Sequence, residues 1–386
     1  MTGFFRNFLL ILMLAVCLGC SSRYHMNCND LGSAPAWPYY RGDRAASGAV
    51  ENGTFNGQLN LLWETKTNGK VVGPLTIYHQ TLVFPDSKKK IKYYDVKSGH
   101  YLGKTACKGI PQTGLVLKDS LAYFSSAPRN NTLRCLNLLN NKWLWKQPVK
   151  DAAAGSILLD NSLIISSGEG SVIAFDARNG KVVWKAKTEG KLVAPASYSD
   201  GKLYQPGSDG YLYVFSATDG HELFRVKTTG PLVNAVVADK LVYVTDVLGN
   251  VSAYEPVAGS KRWQVQLSGP IWTSPVLSGE KLFVGHSGGG LVALQASSGN
   301  ELWRYETGEV IKASPIVVGN YLITGTMAGK VYVLKTSDGT LVDRKTVDGA
   351  IAFSPVSDGQ RLFIATRKGK IICFGEDNEK LTQTGQ

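Results

Sequence analysis

The chain has 386 residues, of which 44% are apolar, 10% are aromatic and 19% are charged, with 42 glycines and 15 prolines. This composition is typical of a folded globular protein and excludes long disordered regions. The formal net charge of +12 favours acidic partners or anionic lipid headgroups.

The first nineteen residues have the features of a secretion signal. Arg6 precedes an apolar run at 8–18 that is too short to span a bilayer as a permanent helix. The stretch from Gly19 through Cys20 resembles the cleavage site of bacterial lipoproteins, in which the cysteine is diacylated and becomes the new N-terminus; Cys17 stands where that site usually has Leu or Val. We predict a signal peptide at 1–19 and lipidation of Cys20, with an ordinary signal peptide as the alternative. Because an exported chain rarely meets nucleic acid, the positive charge does not indicate nucleic-acid binding.

Residues 20–58 are predicted to form a lipidated linker and an opening segment, which contains WPYYRGDRAASG at 37–48. An acylated cysteine holds a protein on a membrane without crossing it. Position 21 is Ser, whereas a different lipoprotein sorting signal has Asp at this position. Ser21 therefore resembles the signal for the outer membrane, and we expect the protein to lie on the periplasmic face of that membrane. Arg41-Gly42-Asp43 spells a cell-adhesion tripeptide, but it belongs to the opening segment.

One module recurs eight times between residues 59 and 376. The stretch GSVIAFDARNGKVVW at 170–184 returns as GYLYVFSATDGHELF at 210–224, and the residue that closes each copy recurs every 39 to 42 positions. A period near 40 residues is typical of propellers and arrays. The closing residues are Trp63, Gly103, Trp145, Trp184, Phe224, Trp263, Trp303 and Asp343.

Each module has the pattern of four short β-strands separated by tight turns, and no stretch of the mature chain predicts a long helix. Four antiparallel strands per module form one propeller blade. The predicted fold class is therefore all-β, an eight-bladed β-propeller of four-stranded antiparallel blades. An extra strand at 59–66 precedes the first module and the last module ends after its third strand at 371–376, so the N-terminal strand is predicted to close the ring. Residues 377–386 are a polar tail.

The end of the module predicts how neighbouring blades dock. In the copy at 174–184, Gly180 supplies a turn with positive φ, Asp176 accepts backbone N–H groups in that turn, and Trp184 packs between neighbouring blades. We predict the same structural docking role for the other closing aromatics, which are Trp63, Trp145, Phe224, Trp263 and Trp303.

The residues that usually carry chemistry are scattered. Cys135 and Cys373 align with small apolar residues of other modules, which predicts buried fillers that do not pair with each other. There is no His pair at metal-ligand spacing and no nucleophile motif. The sequence thus predicts no catalytic residue, no metal site and no cofactor. The five histidines are His25, His79, His100, His221 and His286.

Two motifs resemble a known family. The pattern A-x-D-x-x-x-G-K-x-x-W at 174–184 resembles the tryptophan-docking motif of pyrroloquinoline-quinone-type eight-bladed propellers, with Asn179 where Thr is commoner. The opening at 37–48 is similar to the W-P-x-x-R-G opening of bacterial proteins with that repeat. With the lipoprotein signal, the chain is similar to the BamB-like lipoproteins of the outer-membrane β-barrel assembly machinery. The resemblance implies a non-catalytic scaffold in assembly and insertion of barrel proteins, with partners from that machinery.

The family's contact residues transfer poorly to this chain. The best-matching loops, at 187–195 and 227–235, lack the Leu/Arg cluster and the paired acids that dock the central barrel subunit in that family. Two other function classes stay open. One is a quinone-dependent or other small-molecule enzyme, although the adjacent cysteine pair common in such enzymes is absent. The other is a propeller that binds a polysaccharide or another ligand.

Charge placement singles out three modules. The turn between the second and third strands is basic in the first, second and eighth modules, at 87–92, 127–131 and 366–370, and is not in the third to sixth. These modules become neighbours when the ring closes, which predicts one basic sector, joined on the same face by residues of the loops that enter the first strands. The predicted interaction patch comprises Lys88, Lys89, Lys90, Lys92, Arg129, Arg367, Lys368, Lys370, Trp272, Lys312 and Phe353.

Overall fold

The structure is a computed structural model that describes residues 37, 41–111, 114–127, 132–152, 155–237 and 240–376. In these residues the regular structure consists of β-strands, and no helix is long and apolar enough to cross a membrane. The predicted signal peptide, Cys20, Cys28, Arg129 and the tail at 377–386 lie outside the described residues.

The strands are short and follow one another with tight turns. In chain order they are β1 (Ala49–Val50), β2 (Leu61–Lys66), β3 (Thr76–Tyr78), β4 (Thr81–Asp86), β5 (Lys90–Asp95), β6 (Tyr101–Ala106), β7 (Ile110–Pro111), β8 (Val116–Lys118), β9 (Leu121–Ala127), β10 (Thr132–Asn137), β11 (Lys142–Pro148), β12 (Gly155–Leu159), β13 (Ser162–Ser167), β14 (Ser171–Asp176), β15 (Val182–Lys187), β16 (Ser197–Ser199), β17 (Lys202–Pro206), β18 (Tyr211–Ser216), β19 (Glu222–Lys227), β20 (Leu232–Val237), β21 (Val242–Asp246), β22 (Asn250–Tyr254), β23 (Lys261–Gln266), β24 (Val276–Ser278), β25 (Lys281–Gly285), β26 (Gly290–Gln295), β27 (Glu301–Glu306), β28 (Ile316–Val318), β29 (Tyr321–Gly325), β30 (Lys330–Lys335), β31 (Leu341–Thr346), β32 (Val356–Ser357), β33 (Leu362–Ala365) and β34 (Lys370–Phe374).

These strands form the eight blades that the repeat predicts. Blade 1 is β3 to β6, blade 2 is β8 to β11 with β7 also paired to β9, and blades 3 to 7 each take the next four strands in order. Blade 8 combines β32, β33 and β34 with β2. Consecutive strands within a blade pair antiparallel, so the predicted fold class, an eight-bladed propeller of four-stranded antiparallel blades, is confirmed.

The ring closes as predicted. Strand β2 pairs antiparallel with β34, with Trp63 opposite Cys373 and Lys66 opposite Lys370. The fourth strand of blade 8 is therefore supplied by the beginning of the propeller sequence. This pairing gives β34 a partner on its outer side and removes a free sheet edge at the end of the chain.

The core lies within and between the inner three strands of each blade. Both Cys135 and Cys373 are fully buried there, and neither forms a disulfide. Burial raises the pKa of the Cys135 thiol to about 12, so this side chain stays a neutral thiol and acts as a small apolar filler.

Neighbouring blades are joined by tryptophans of the fourth strands. At five interfaces the indole N–H donates to a backbone carbonyl in the turn between the third and fourth strands of the next blade. The pairs are Trp63 with Val96 (3.1 Å), Trp145 with Ala177 (2.9 Å), Trp184 with Ala217 (3.3 Å), Trp263 with Ala296 (2.9 Å) and Trp303 with Thr336 (3.2 Å).

The same tryptophans pack on the glycine of the turn that they meet. Gly180 has a φ of 74°, and a Cβ placed on it would lie 2.7 Å from the Trp145 ring. Gly220 meets Trp184 in the same way, and Gly259 meets Phe224. Glycine is therefore required in these turns for two reasons. It adopts the left-handed backbone conformation, and its missing side chain leaves the space that the aromatic ring fills.

At two interfaces the closing residue of the fourth strand is the smaller partner, and the turn residue of the next blade is the larger one. Blade 1 has Gly103 in place of the aromatic, and the matching turn position of blade 2 is Asn141, with a φ of 58°. Blade 7 has Asp343, whose Oδ2 accepts the backbone N–H of Leu59 at 2.7 Å, and Leu59 holds the turn position of blade 8. A small closing residue is thus matched by a larger turn residue.

A segment before β2 crosses one end of the ring. We call Trp37 together with residues 41–58 the strap. Its contacts lie in six blades, and because they include the turns between first and second strands at Asp160 and Gly359, the strap crosses the end that carries those turns. The contacts are Trp37 with Ile77 in blade 1, Arg44 with Asp160 in blade 3 and with Tyr198 in blade 4, Ser47 with Leu277 in blade 6, β1 with β28 in blade 7, and Thr54 and Phe55 with Gly359 in blade 8.

Arg41 fastens the strap to the inner strands. Its side chain is buried, and its guanidinium donates to the carbonyl oxygens of Pro315 at 2.7 Å and Pro275 at 3.1 Å. Gly48 has a φ of 74° and lies so close that a Cβ there would overlap the guanidinium. The burial of Arg41 rules out the cell-adhesion reading of the tripeptide, because that reading needs an exposed arginine.

We predict that Trp184→Ala lowers the free energy of unfolding by about 3 to 5 kcal/mol, because it empties the space between blades 3 and 4. Thermal unfolding measures the loss. Trp272→Ala is the matched control, since Trp272 is 50% exposed and its truncation should leave the midpoint nearly unchanged. Equal midpoints for Trp184→Ala and the unmodified protein would contradict the docking role.

We predict that Gly48→Ala destabilises the protein more than Gly201→Ala. Both glycines have nearly the same positive φ, at 74° and 72°, but a Cβ on Gly201 meets nothing within 4 Å. The control therefore reports only the backbone cost of about 1 to 2 kcal/mol, whereas Gly48→Ala also displaces Arg41 from its two carbonyls, at about 1.5 to 3 kcal/mol for each charged hydrogen bond. Hydrogen exchange at the amide of Val317, which donates to Gly48, should rise only in Gly48→Ala.

Candidate interaction face

The end of the ring opposite the strap carries the turns between second and third strands and the loops that enter the first strands. We call it the loop face. Backbone hydrogen bonds join the two kinds of segment, from Ser87 to Lys70 at 2.8 Å in blade 1 and from Arg367 to Ala350 at 2.9 Å in blade 8. Basic turns and entering loops therefore share one face.

The basic residues of blades 8 and 1 lie together on the loop face. Lys88, Lys89, Arg367 and Lys368 are exposed, and Lys90 and Lys370 are half-buried. Further exposed cations, which the repeat pattern does not single out, are Lys66 at the end of the fourth strand β2, and Lys70 and Lys108 in the entering loops that follow fourth strands. We call these nine residues the basic sector.

Asp86 shapes the turn that presents three of these lysines. Its Oδ1 accepts the backbone N–H groups of Lys88 and Lys90, each at 2.9 Å, and Lys89 between them adopts a φ of 60°. The carboxylate thereby replaces the missing strand partners at the tip of the hairpin. The backbone is fixed while the lysine side chains at 88 and 89 extend into solvent.

The prediction that Lys92 belongs to the exposed patch is wrong. Strand β5 begins at Lys90, so Lys92 lies inside the blade, where it is buried beside the buried carboxylate of Asp86 at 3.9 Å and over the Tyr101 ring. Burial lowers the pKa of Lys92 and raises the pKa of Asp86. Both shifts disfavour the charged forms, so Lys92 belongs to the blade interior and is not available to a partner at the surface.

Part of the basic sector is paired within the protein. Lys368 contacts Asp348 at 2.5 Å, Lys370 contacts Glu64 at 2.5 Å, and Lys88 bonds Asn68. Exposed pairs of this kind contribute little to stability, so a partner's carboxylates can replace Asp348 or Glu64 at small cost. Among the residues that the structure describes, Lys89 and Arg367 have no ion pair.

The entering loops place Trp272 and Lys312 at equivalent exposed positions of blades 6 and 7. Phe353, which the sequence analysis grouped with them, lies one position further along. It aligns with the fully buried Thr273 and Ala313 and packs half-buried against the core of blades 7, 8 and 1. Its membership of the interaction patch stays a prediction, with a side chain that is half-buried rather than exposed.

Other apolar side chains of the loop face were not anticipated. Val193 is 59% exposed in the loop that enters blade 4, Leu248 is 54% exposed in the blade 5 turn, and Val310 is 42% exposed beside blade 7. With Trp272 they form an apolar arc across blades 4 to 7, opposite the basic sector. Single exposed apolar residues carry little signal in a sequence, because only ring closure brings them to one face.

The blade 6 turn contains a buried histidine without a hydrogen-bond partner. Neither ring nitrogen of His286 has a partner in the described part of the chain, and the imidazole is enclosed by Gly269, Gly288 and Gly290. Burial lowers its pKa, while the Glu306 carboxylate acts in the opposite direction. Its neutral imidazole fills space where blades 7 and 8 have threonines.

The donor set for a metal ion is missing from the described residues. They contain no group of three or more His, Cys, Asp or Glu side chains that could hold one. The exposed side chains described above give the loop face a cationic sector and an apolar arc.

Three comparisons place the chain among known proteins. A family model described as outer membrane protein assembly factor BamB matches residues 109–194, 129–236 and 208–384, which is more than half of the chain. Among solved structures, BamB from Moraxella catarrhalis has a TM-score of 0.71 at 15% identity, over 83% of this chain and 100% of its own. A search of curated proteins finds no match.

Enzymes share the architecture. A europium-containing methanol dehydrogenase has a TM-score of 0.75 at 11% identity, covering 90% of this chain and 99% of its own. The quinohemoprotein alcohol dehydrogenase of Comamonas testosteroni has a TM-score of 0.73 at 12% identity, covering 88% and 80%. At these identities the likeness shows the fold alone.

We predict that the free energy of unfolding of the His286→Thr variant falls less steeply at acidic pH than that of the unmodified protein. As pH falls below about 6.5, the unfolded chain takes up a proton on this imidazole and the folded protein, with its lowered pKa, does not, so the free energy of unfolding falls by up to about 1.4 kcal/mol per pH unit. Threonine cannot take up this proton, so the variant should not show that loss. Threonine also occupies the equivalent position of blade 7, where the Thr326 hydroxyl accepts the Lys330 N–H at 3.1 Å. Urea unfolding at several pH values measures the difference. The exposed His221→Thr is the control, and identical pH profiles for both variants would contradict the prediction.

Proposed function

The chain belongs to the family of the outer membrane protein assembly factor BamB, and on that premise we propose that it is a non-catalytic scaffold in the assembly and insertion of β-barrel outer membrane proteins. The proposal includes a lipid anchor at Cys20 and a position on the periplasmic face of the outer membrane. Its partners are then protein subunits of the β-barrel assembly machinery.

The basic sector is the observation that carries the proposal. Flexible lysine and arginine side chains extend from turns whose backbone is fixed by Asp86 and by strand pairing, so the charge is presented on a rigid base. Complementary charge accelerates the encounter with an acidic partner surface. The apolar arc with Trp272 supplies the desolvated contact that charge alone does not give.

A second contact mode uses the outer strands. In blades 2 to 7 the fourth strand pairs on one side with the third strand, and in the described residues no further strand covers its other side. An extended segment of an unfolded barrel protein can add to such an edge through main-chain hydrogen bonds, which tolerate many sequences. This mode suits a protein that handles many different barrel strands.

The alternative function is that of a quinone-dependent enzyme, and we test it against the residues of the loop face. A quinone held on a metal ion needs clustered carboxylate or amide ligands. The described residues provide no such acidic cluster. The loops that enter the first strands on the loop face instead carry Val193, Trp272 and Lys312. These residues do not fit that cofactor. The shared architecture with quinone-dependent dehydrogenases therefore does not extend to their chemistry in our proposal. Titration of the purified protein with pyrroloquinoline quinone should leave its intrinsic fluorescence unchanged.

We predict that reversing three charges of the basic sector strongly weakens partner capture. Cross-linking in intact cells, followed by identification of the captured proteins, should yield a subunit of the barrel assembly machinery with the unmodified protein. The triple variant Lys88→Glu, Lys89→Glu, Arg367→Glu should lose that product by about tenfold or more, since charge pairs at interfaces are worth about 1.5 kcal/mol or more each.

The matched control reverses three exposed lysines at the other end of the ring, with Lys97→Glu, Lys261→Glu and Lys335→Glu. It changes the net charge equally and should keep the captured subunit. Equal capture by both triple variants would remove the basic sector from the proposal. Normal levels of outer-membrane barrel proteins in cells without this protein would count against the scaffold role itself.

A further inference from the structure

The fourth strands divide the ring into two sectors. We compare the residue two positions before each closing residue, where the strand begins. In blades 4, 5 and 6 this residue is charged, as Glu222, Lys261 and Glu301. In the five neighbouring blades 7, 8, 1, 2 and 3 it is large and apolar: Leu341, Leu61, Tyr101, Trp143 and Val182.

Most of these apolar side chains are exposed. Leu61 is 59% exposed, Val182 is 57% exposed, and Trp143 and Leu341 are each 38% exposed. The next residue along the strand is exposed and apolar in both sectors, as Leu144 and Val183 in blades 2 and 3 and as Leu223 and Leu302 in blades 4 and 6, so the first position is the one that distinguishes them. Because the five blades are contiguous in the closed ring, the side chains form one band on its outer rim, which we call the rim belt.

The rim belt begins at the strap end of the ring. Each fourth strand starts after the turn between third and fourth strands, and this turn lies at the same end as the turn between first and second strands, since successive strands are antiparallel. The strap crosses this end, and Trp37 pairs with Ile77 in blade 1, the middle blade of the five.

Cations without an ion pair are more frequent on the fourth strands of the belt sector than on those of blades 4 to 6, where the described examples are Lys227 and Lys261. In blades 4 and 6 the arginines are neutralised locally, with Arg225 bound to Glu222 and Arg304 to Glu301. The fourth strands of the belt sector carry cations that form no ion pair with any described residue. These are Lys104, Lys142, Lys146, Lys185, Lys187, Arg344 and Lys345.

Exposed aliphatic and aromatic side chains beside unpaired cations are typical of surfaces that lie in the headgroup region of a membrane. The tether supports this occupant. Residues 20–36 separate the proposed acyl anchor from Trp37, and seventeen residues extend at most about 60 Å. An anchored molecule is thus held within reach of the bilayer at the end where the belt lies.

We propose that the rim belt rests on an anionic phospholipid surface, which turns the strap end towards the membrane and the loop face away from it. This inference rests on the proposed anchor at Cys20. The apolar side chains insert between headgroups, and the lysines of the same strands contact lipid phosphates. The basic sector of the loop face is thereby left accessible to protein partners.

Vesicle partition of the mature chain carrying Cys20→Ser tests the belt without its acyl anchor. The probe is vesicles of phosphatidylethanolamine and phosphatidylglycerol, compared with vesicles of phosphatidylcholine. We expect binding to the anionic vesicles, weakened about tenfold by Trp143→Glu or Val182→Glu, because each removes one buried apolar side chain from the lipid contact. The matched control is Leu302→Glu, a 43% exposed leucine of the blade 6 strand, which should bind like its parent. Circular dichroism and thermal unfolding confirm that all four chains are folded.

Three outcomes would overturn the inference. The Cys20→Ser chain does not bind the anionic vesicles, or Leu302→Glu weakens binding as much as Val182→Glu, or the belt variants keep vesicle binding and instead lose a captured protein. The last result would make the belt a protein-docking surface. Failure of the proposed anchor is separate, because mass spectrometry of the unmodified protein from cells would then find no acyl group on Cys20.

Discussion

The architecture depends on a volume match at the seam between each pair of blades. One partner is the residue that closes a fourth strand, and the other is the turn residue of the next blade, four positions before that blade's own closing residue. Where the first is tryptophan or phenylalanine the second is glycine, as for Trp145 and Gly180. Where the first is Gly103 or Asp343 the second is Asn141 or Leu59. Because the ring must close, the spacing of all eight seams is constrained together, and each seam reaches it with one large and one small partner.

The seam between blades 7 and 8 is special because chain connectivity is interrupted there. Blade 8 lacks a continuous turn between its third and fourth strands, so an indole from blade 7 would have no such turn to receive its N–H. Asp343 instead accepts the N–H of Leu59, which enters with the strap. The strap is fixed in turn by the buried Arg41, whose two carbonyl partners lie beside the first strands of blades 6 and 7. Ring closure and coverage of one end thus use the same segment.

The fold could be predicted from the sequence because each module repeats the local information, and the docking turn spans only eleven residues. The strap could not, since its contacts join residues such as Arg41 and Pro315 that no periodicity connects. The error at Lys92 comes from an element boundary. This lysine was assigned to the turn, but β5 begins two residues earlier, and a side chain inside the strand can point into the core instead of solvent. The basic sector was accessible to sequence reasoning because turn residues at 88–89 and 367–368 point outward whatever the exact register.

Eight copies of one module provide an internal comparison within a single chain. Positions that agree across the copies, such as the turn glycine and the closing aromatic, satisfy the seam and carry no information about partners. Positions that differ between copies without a packing reason are where function can lie. The lysines of the blade 1 turn are such positions, since the equivalent turns of blades 3 to 6 hold the same hairpin geometry without them. The first residues of β19, β23 and β27, which are charged, are a second example. Packing at the seam does not explain why this position is Glu222 in blade 4 and Val182 in blade 3. The basic turns of blades 8 and 1 lie within the five contiguous blades 7, 8, 1, 2 and 3 whose fourth strands begin with an apolar residue, and the two features lie at opposite ends of the ring. A scaffold that is fixed at one end and engages partners at the other requires this polarity along the ring axis.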